Sequence, residues 1–283
     1  MHCRNYLLLI IVLAVATLLL AGCGARREAK AGAPVGASTS AAPMVDEVSG
    51  FKKIHVFVAL CDNVHQGIQP VPAGIGNGQD AASNLYWGTD GGMKTYFKKS
   101  SDWKIIESIA NPKAHILERV TFQHRTKKAL IVADAYDGAY IKQAIGDMIT
   151  ASSGHAAEMV PIAGNRYVFG GGADMIGYVG HDGLMEFQLD INIEPATGKK
   201  KDVVILSCTS NKFFRPYIEK ANANPLLWTK SLMCPEVYTL KVAIDGWLVG
   251  DTPANIMESA AKVYAKYQNI SVRGARTVFA TGF

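Results

Sequence analysis

Met175-Ile176-Gly177-Tyr178-Val179-Gly180, closing on His181-Asp182-Gly183, and Asp202-Val203-Val204-Ile205-Leu206, closing on Ser207-Cys208-Thr209-Ser210, are the two stretches whose reading decides the fold. A short apolar run bounded by glycine and polar residues reads as a strand buried on both faces, as in a parallel sheet covered by helices. In an open α/β sheet, functional groups gather at the carboxyl ends of the strands near the topological switch point. A histidine and a cysteine at the ends of two successive strands can therefore face each other across one crevice. That pairing suits nucleophilic catalysis, with sulfur attacking and imidazole moving the proton.

Working outward, Ile54 to Leu60 reads as a first buried strand and Ala129 to Ala133 as another. A long glycine-rich loop from Cys61 to Gly92 follows the first, and loops of that length are usually functional or disordered. Its Tyr86 and Trp87 imply that it packs over something. Met93 to Lys99 reads as a helix start, Trp103 to Ile109 as strand or helix, and Ile116 to Gln123 as an edge strand. Asp134 and Asp137 read as a turn and N-cap pair. The following helix carries Tyr140, Ile141, Ala144, Ile145, Met148 and Ile149 on one face. After Cys208 come a helix near Pro216 to Ala223, a strand at Leu226 to Thr229 and a helix opened by Pro235. The last helix has Thr252 as N-cap and Pro253 at its first position. Strands alternating with helices give an α/β class, a mostly parallel central sheet with helices on both faces.

The N-terminus points to a compartment. Arg4 precedes the apolar run Tyr6 to Ala21, which is short and wrongly flanked for a transmembrane span. It ends in Leu20-Ala21-Gly22-Cys23, which resembles the bacterial lipobox and implies cleavage before Cys23 and lipidation of its thiol. Gly24 rather than Asp follows, which by analogy favours the outer membrane of a Gram-negative cell, facing the periplasm or the cell surface. Residues 1–22 are thus expected to be a lipoprotein signal peptide. Residues 23–50, rich in Ala, Gly and Ser, read as a tether, and 51–283 as a single α/β domain. The net charge of +5 is spread along the chain. Nucleic-acid binding needs a concentrated basic face, so no nucleic-acid partner is expected. No cysteine or histidine spacing matches a structural metal site, and "GNGQD" at Gly76 to Asp80 is too loose for a phosphate loop. No metal or cofactor is implied.

The segments "YVGHDGLMEF" (178–187) and "VVILSCTSNKFF" (203–214) resemble the histidine and cysteine blocks of caspase-like cysteine peptidases, the group of caspases, metacaspases and CHAT domains. "NPLLWTKSLMCPEVYTLKVAIDGWL" (224–248) resembles the strand and helix that follow in CHAT domains. The region from Phe51 to Trp103 is similar instead to a group of uncharacterised bacterial proteins. The family resemblance implies a caspase-like sheet, a helix or hairpin between the two blocks, and a catalytic pair of His181 and Cys208. It also implies an oxyanion hole from backbone N–H groups. In the family, glycine follows the histidine directly; here Asp182 intervenes, so Gly183 would take that role beside Cys208. Related peptidases that prefer Lys or Arg carry acidic groups near the first strand, which makes Asp62 a candidate for substrate binding. Trp228 could wall the same pocket or belong to the core.

Taken alone, Cys208 reads as a small hydrophobe buried at a strand end; with His181 in the preceding block it reads as a nucleophile. Cys61 reads as a strand-end core residue. The sequence thus supports a lipid-anchored caspase-like cysteine peptidase, held to a membrane by its N-terminal lipid and acting on a protein or peptide substrate. The alternative is a non-catalytic envelope lipoprotein, a pseudo-peptidase scaffold that binds a partner or ligand through its long first loop.

Overall fold

The structure, a computed structural model, describes residues 44–283. The expected lipidation site Cys23, the signal peptide and most of the tether lie outside the described residues. The end of the tether does not behave as its composition implied. Lys53 Nζ donates to Asp46 at 2.7 Å, Val168 N–H donates to Asp46 Oδ1 at 2.7 Å and Arg166 pairs with Glu47 at 2.8 Å. The folded body therefore reaches back beyond Phe51.

Eight strands form one sheet in the order β10-β9-β8-β7-β1-β4-β3-β2. They are β1 (Lys52–Ala59), β2 (Trp103–Lys113), β3 (Ile116–His124), β4 (Ala129–Tyr136), β7 (Met175–Val179), β8 (Asp202–Leu206), β9 (Asn224–Thr229) and β10 (Phe279–Ala280). The inner five, β4-β1-β7-β8-β9, are parallel, with antiparallel β3 and β2 on one side and antiparallel β10 on the other. The α/β reading holds. Counted along the chain, the parallel strands lie in the order 2-1-3-4-5, and the switch point falls between β1 and β7. β3 is interior and β2 is the edge, because the whole length of Trp103–Lys113 pairs with it as a further strand.

Parity along the strands sorts the core into two layers. Ile54, Val56 and Val58 face one layer, covered by α1 (Met93–Lys99), α5 (Tyr238–Val249), α6 (Pro253–Gln268) and α7 (Val272–Arg276). Phe57 and Ala59 face the other, covered by α2 (Ile141–Ser152) and by the short helices α3 (Ser210–Phe213) and α4 (Arg215–Lys220). Thr252 caps α6 by accepting from Asn255 N–H at 3.3 Å, with Pro253 in the first turn, as the sequence implies. The apolar stripe of α2 is buried; Tyr140, expected on the same face, lies in the 3-10 turn before the helix, is 44% exposed and stacks on His115. α5 begins at Tyr238 rather than Pro235, since residues 233–237 run non-helically past β9.

Two parts of the second layer go beyond the elements expected from the sequence. A hairpin of β5 (Glu158–Ile162) and β6 (Asn165–Phe169) follows α2, turning through Ala163 and Gly164, both at positive φ (50° and 83°). Two central residues of that conformation make the type I′ turn favoured in tight hairpins. The chain from β7 to β8, where a helix or hairpin was implied, instead makes a 3-10 turn at Gly183–Met185 and then an irregular strap. Every second residue of that strap, Phe187, Leu189, Ile191 and Ile193, packs on the second core layer.

Candidate functional site

β7 and β8 are neighbours with Val179 opposite Leu206, so His181 and Cys208 each follow the last paired residue by two positions. The register therefore brings the two chains out of the sheet at the same level, each two residues before its candidate side chain. Val179 and Leu206 face the first core layer, and His181 and Cys208 open on that side into one cleft of about 380 Å³. Gly180 allows the exit: a Cβ there would lie 3.0 Å from the Ala59 carbonyl oxygen, tighter than ordinary contact.

Asp182, between His181 and Gly183, has a local role. Its Oδ1 accepts from Leu184 N–H at 3.1 Å and caps the 3-10 turn. That turn returns the chain so that Glu186 Oε1 lies 2.5 Å from His181 Nε2. Glu186 is itself steadied by Gly67 N–H, 2.9 Å from the same oxygen. An ionised carboxylate only accepts, so Nε2 carries the proton and Nδ1 is left as the basic nitrogen. The sequence reading names no third member for the pair. Glu186, five residues after His181, supplies an orienting carboxylate, and only the 3-10 turn reveals it. The Tyr178 hydroxyl donates to the His181 carbonyl at 2.8 Å and pins the backbone from below.

Cys208 sits at a strand–turn–helix corner. Thr209 follows at φ 51°, ψ 31°, the left-handed region that a β-branched residue adopts only when its surroundings hold it there. The hold is a buried hydroxyl pair. Ser210 Oγ donates to the Ile205 carbonyl at 3.0 Å, Ser210 N–H donates to Thr229 Oγ1 at 3.1 Å, and Thr229 Oγ1 donates to the Ser207 carbonyl. The Cys208 sulfur meets Met233 twice, accepting from its N–H at 3.5 Å and donating to its carbonyl at 3.6 Å. It is half-buried, whereas Cys61 and Cys234 are buried, as expected for Cys61.

The first loop forms the far wall. Buried Asn84 links its two ends, accepting from Cys61 N–H at 3.0 Å and donating to the Cys61 carbonyl at 2.8 Å and the Asn77 carbonyl at 2.9 Å. Trp87 and Leu85 enter the core, so the loop packs over the sheet as its aromatics imply. Asp62 belongs to this scaffold. Its Oδ1 accepts from Val64 N–H at 2.8 Å, and its Oδ2 lies 2.9 Å from both His65 Nδ1 and Gln79 Nε2. Burial pushes the carboxyl up, but those hydrogen bonds outweigh it and hold it below its usual value.

Three expected site residues thus lie elsewhere. Asp62 is fully covered and does not line the cleft, because its oxygens hold the loop together. Trp228 is buried in the opposite core layer, with the Arg215 guanidinium 5.2 Å from its ring, because strand parity turns it away from the cleft. Gly183 lies in the 3-10 turn under Phe187, whose ring would be 2.7 Å from an added Cβ. The 3-10 turn that Asp182 caps takes it out of the cleft, which Gly180, His181 and Cys208 line.

A second cluster lies on the other face, where His55, Asp134 and Glu158 place ligand atoms within 4.8 Å of one another, the one such group among the described residues. Asp134 is a buried residue of β4, not a turn residue. Arg119 Nε and Nη2 each donate to it at 2.6 Å, and Nη2 also reaches Glu158 at 2.9 Å. His55 accepts from Gly170 N–H through Nδ1 at 3.0 Å, so its Nε2 donates to Asp134 at 3.0 Å. The cations among these carboxylates are Arg119 and, at Glu158, also Lys113, and the cluster is a structural ion-pair network. Asp137, as expected, caps the turn into α2 by accepting from Ala139 N–H at 3.0 Å.

Comparison of the chain with family models, curated proteins and solved structures returned no match. Among the described residues no helix is long and apolar enough to cross a membrane.

Proposed function

We propose that this chain is a lipid-anchored, caspase-like cysteine endopeptidase of the bacterial envelope, with Cys208 as nucleophile, His181 as proton carrier and Glu186 as the group that orients His181. The observation that carries the reading is the shared cleft at the ends of neighbouring parallel strands, with a carboxylate fixing the imidazole tautomer. Cys208 sulfur attacks the scissile carbonyl carbon, forming a C–S bond and giving its proton to His181 Nδ1. The proton passes to the departing amine as the C–N bond breaks. Water, deprotonated by His181, then attacks the thioester, releasing the carboxylic acid and restoring the thiol. Of the two oxyanion donors that the family resemblance implies, Cys208 lies in the cleft and Gly183 does not. One such donor contributes about 3 kcal/mol to transition-state stabilisation.

The position of Gly183 favours the second reading, a non-catalytic lipoprotein that keeps the scaffold and binds a partner through the first loop. Alkylation and turnover separate the two. In the detergent-solubilised full chain, iodoacetamide should label Cys208 before Cys61 and Cys234, and a peptide library should be cleaved. His181→Ala should abolish turnover with the fold retained, and Glu186→Gln should lower it about 100-fold while altering the pH profile. Slow labelling of Cys208 in the folded protein removes the enzyme; fast labelling without cleavage of any peptide leaves the binding protein.

A further inference from the structure

Beside Cys208 the cleft is apolar on both walls. Ile68, Leu85 and Tyr86 of the first loop face Leu232 and Met233 of the segment after β9, with Met185 at the rim beside His181. Met185 is 45% and Leu232 40% exposed, so two large apolar side chains are left open to water beside the sulfur. Among the residues lining the cleft, His181 is the one ionisable side chain apart from the Cys208 thiol and the Tyr86 phenol. No carboxylate lines the cleft: Glu186 binds His181 and Gly67, Asp62 holds the loop, and Asp182 is fully covered. A cation entering such a space loses its hydration and gains no counter-charge. An apolar side chain loses only its contact with water, and 380 Å³ lies within the range of small-ligand pockets, about 300–1,000 Å³.

We infer that the cleft takes a large uncharged apolar side chain on the acyl side of the bond that Cys208 attacks. Its peptide substrates then carry Leu, Met or Phe there, and not the Lys or Arg that Asp62 suggested. This specificity rests on the thiol chemistry proposed above. Leu232 and Met233 shape it from one wall, and the backbone bonds between Met233 and Cys208 couple that wall to the nucleophile.

The test uses the detergent-solubilised full chain and two peptidyl chloromethyl ketones, identical except for Phe or Lys at the last residue. In each, Cys208 sulfur displaces chloride from the methylene carbon to leave a thioether and a released proton, and peptide mass mapping reads the adduct. Iodoacetamide, which fills no pocket, reports the thiol alone. The expected result is alkylation of Cys208 by iodoacetamide together with a rate for the Phe probe about tenfold or more above that for the Lys probe. Leu232→Asp, a change at a partly exposed position, should shift that ratio towards Lys. If iodoacetamide labels Cys208 while the Lys probe reacts as fast as the Phe probe, the apolar specificity is overturned and the thiol reading survives. If iodoacetamide itself fails to label Cys208, the thiol reading falls and the specificity falls with it.

Discussion

At the scale of single residues, Asp182 is a carboxyl held where its charge is poorly accommodated. Its side chain is fully covered, and its Oδ2 has no hydrogen-bond partner. Burial, opposed by the Leu184 N–H and helped by the charge of Glu186, raises the carboxyl to about 7. In an unfolded chain an Asp ionises near about 3.9. Between those values the folded chain holds a proton that the unfolded chain has lost, so folding stability should fall as pH rises from about 4 to about 7 and then level off. Asp182→Asn keeps an oxygen for the Leu184 cap and removes the ionisation. It should be more stable than the parent above pH 7 by a few kcal/mol, of the order that the shift implies, and nearly equal to it at pH 4. Urea unfolding midpoints at acid and neutral pH measure this; parallel pH dependences for the two proteins would rule out a titrating Asp182.

At the scale of elements, the Arg119–Asp134 pair ties the antiparallel side of the sheet to its parallel centre. Arg119 on β3 lies directly opposite Asp134 on β4, His55 approaches from β1, and Glu158 approaches from the β5–β6 hairpin above them. Burial alone would raise the Asp134 carboxyl, but hydrogen bonds from Arg119 and His55 overcome it and hold the group at about 2. Its stabilisation is therefore present above about pH 4 and is lost as pH falls towards 2. Arg119→Met leaves a buried carboxylate without its cation and should cost about 3–5 kcal/mol. Adding Asp134→Leu should return much of that loss, since a buried ion pair contributes little beyond an apolar replacement. Denaturant titration of the single and double variants checks this; a loss under about 1 kcal/mol for Arg119→Met would show that the network is not a unit.

At the scale of the whole molecule, the expected acyl group on Cys23 and the folded body join through a segment that docks sooner than its composition suggests. Asp46 and Glu47 bind Lys53, Val168 and Arg166, and Val48 packs on the second core layer. The mature protein should begin with acylated Cys23, and the fragment that resists mild proteolysis should begin upstream of Asp46 rather than at Phe51. Mass spectrometry of the intact protein and of the resistant fragment reads both. A water-soluble product cut elsewhere counts against the anchor, and a fragment starting at Phe51 counts against the docking.

The sequence by itself determined the strands that flank the cleft and the order of most elements. Apolar runs such as 175–179 and 202–206 have no polar alternation, so they are stable only where both faces are covered, and that requirement is local. The Thr252-Pro253 start of α6 was legible for the same reason, since a cap acts within one turn. The β5–β6 hairpin left only the faint signal of Ala163-Gly164. Tertiary structure alone decided which face each side chain serves and where each charge finds its counterpart. Trp228 turned away from the cleft, Gly183 was taken out of it by the 3-10 turn it opens, Asp62 was used to hold a loop, and Glu186 was brought to His181 by the same turn. Strand parity reverses with every residue, and a charge pairs with whatever the sheet register sets beside it, so neither is fixed until distant segments are in place.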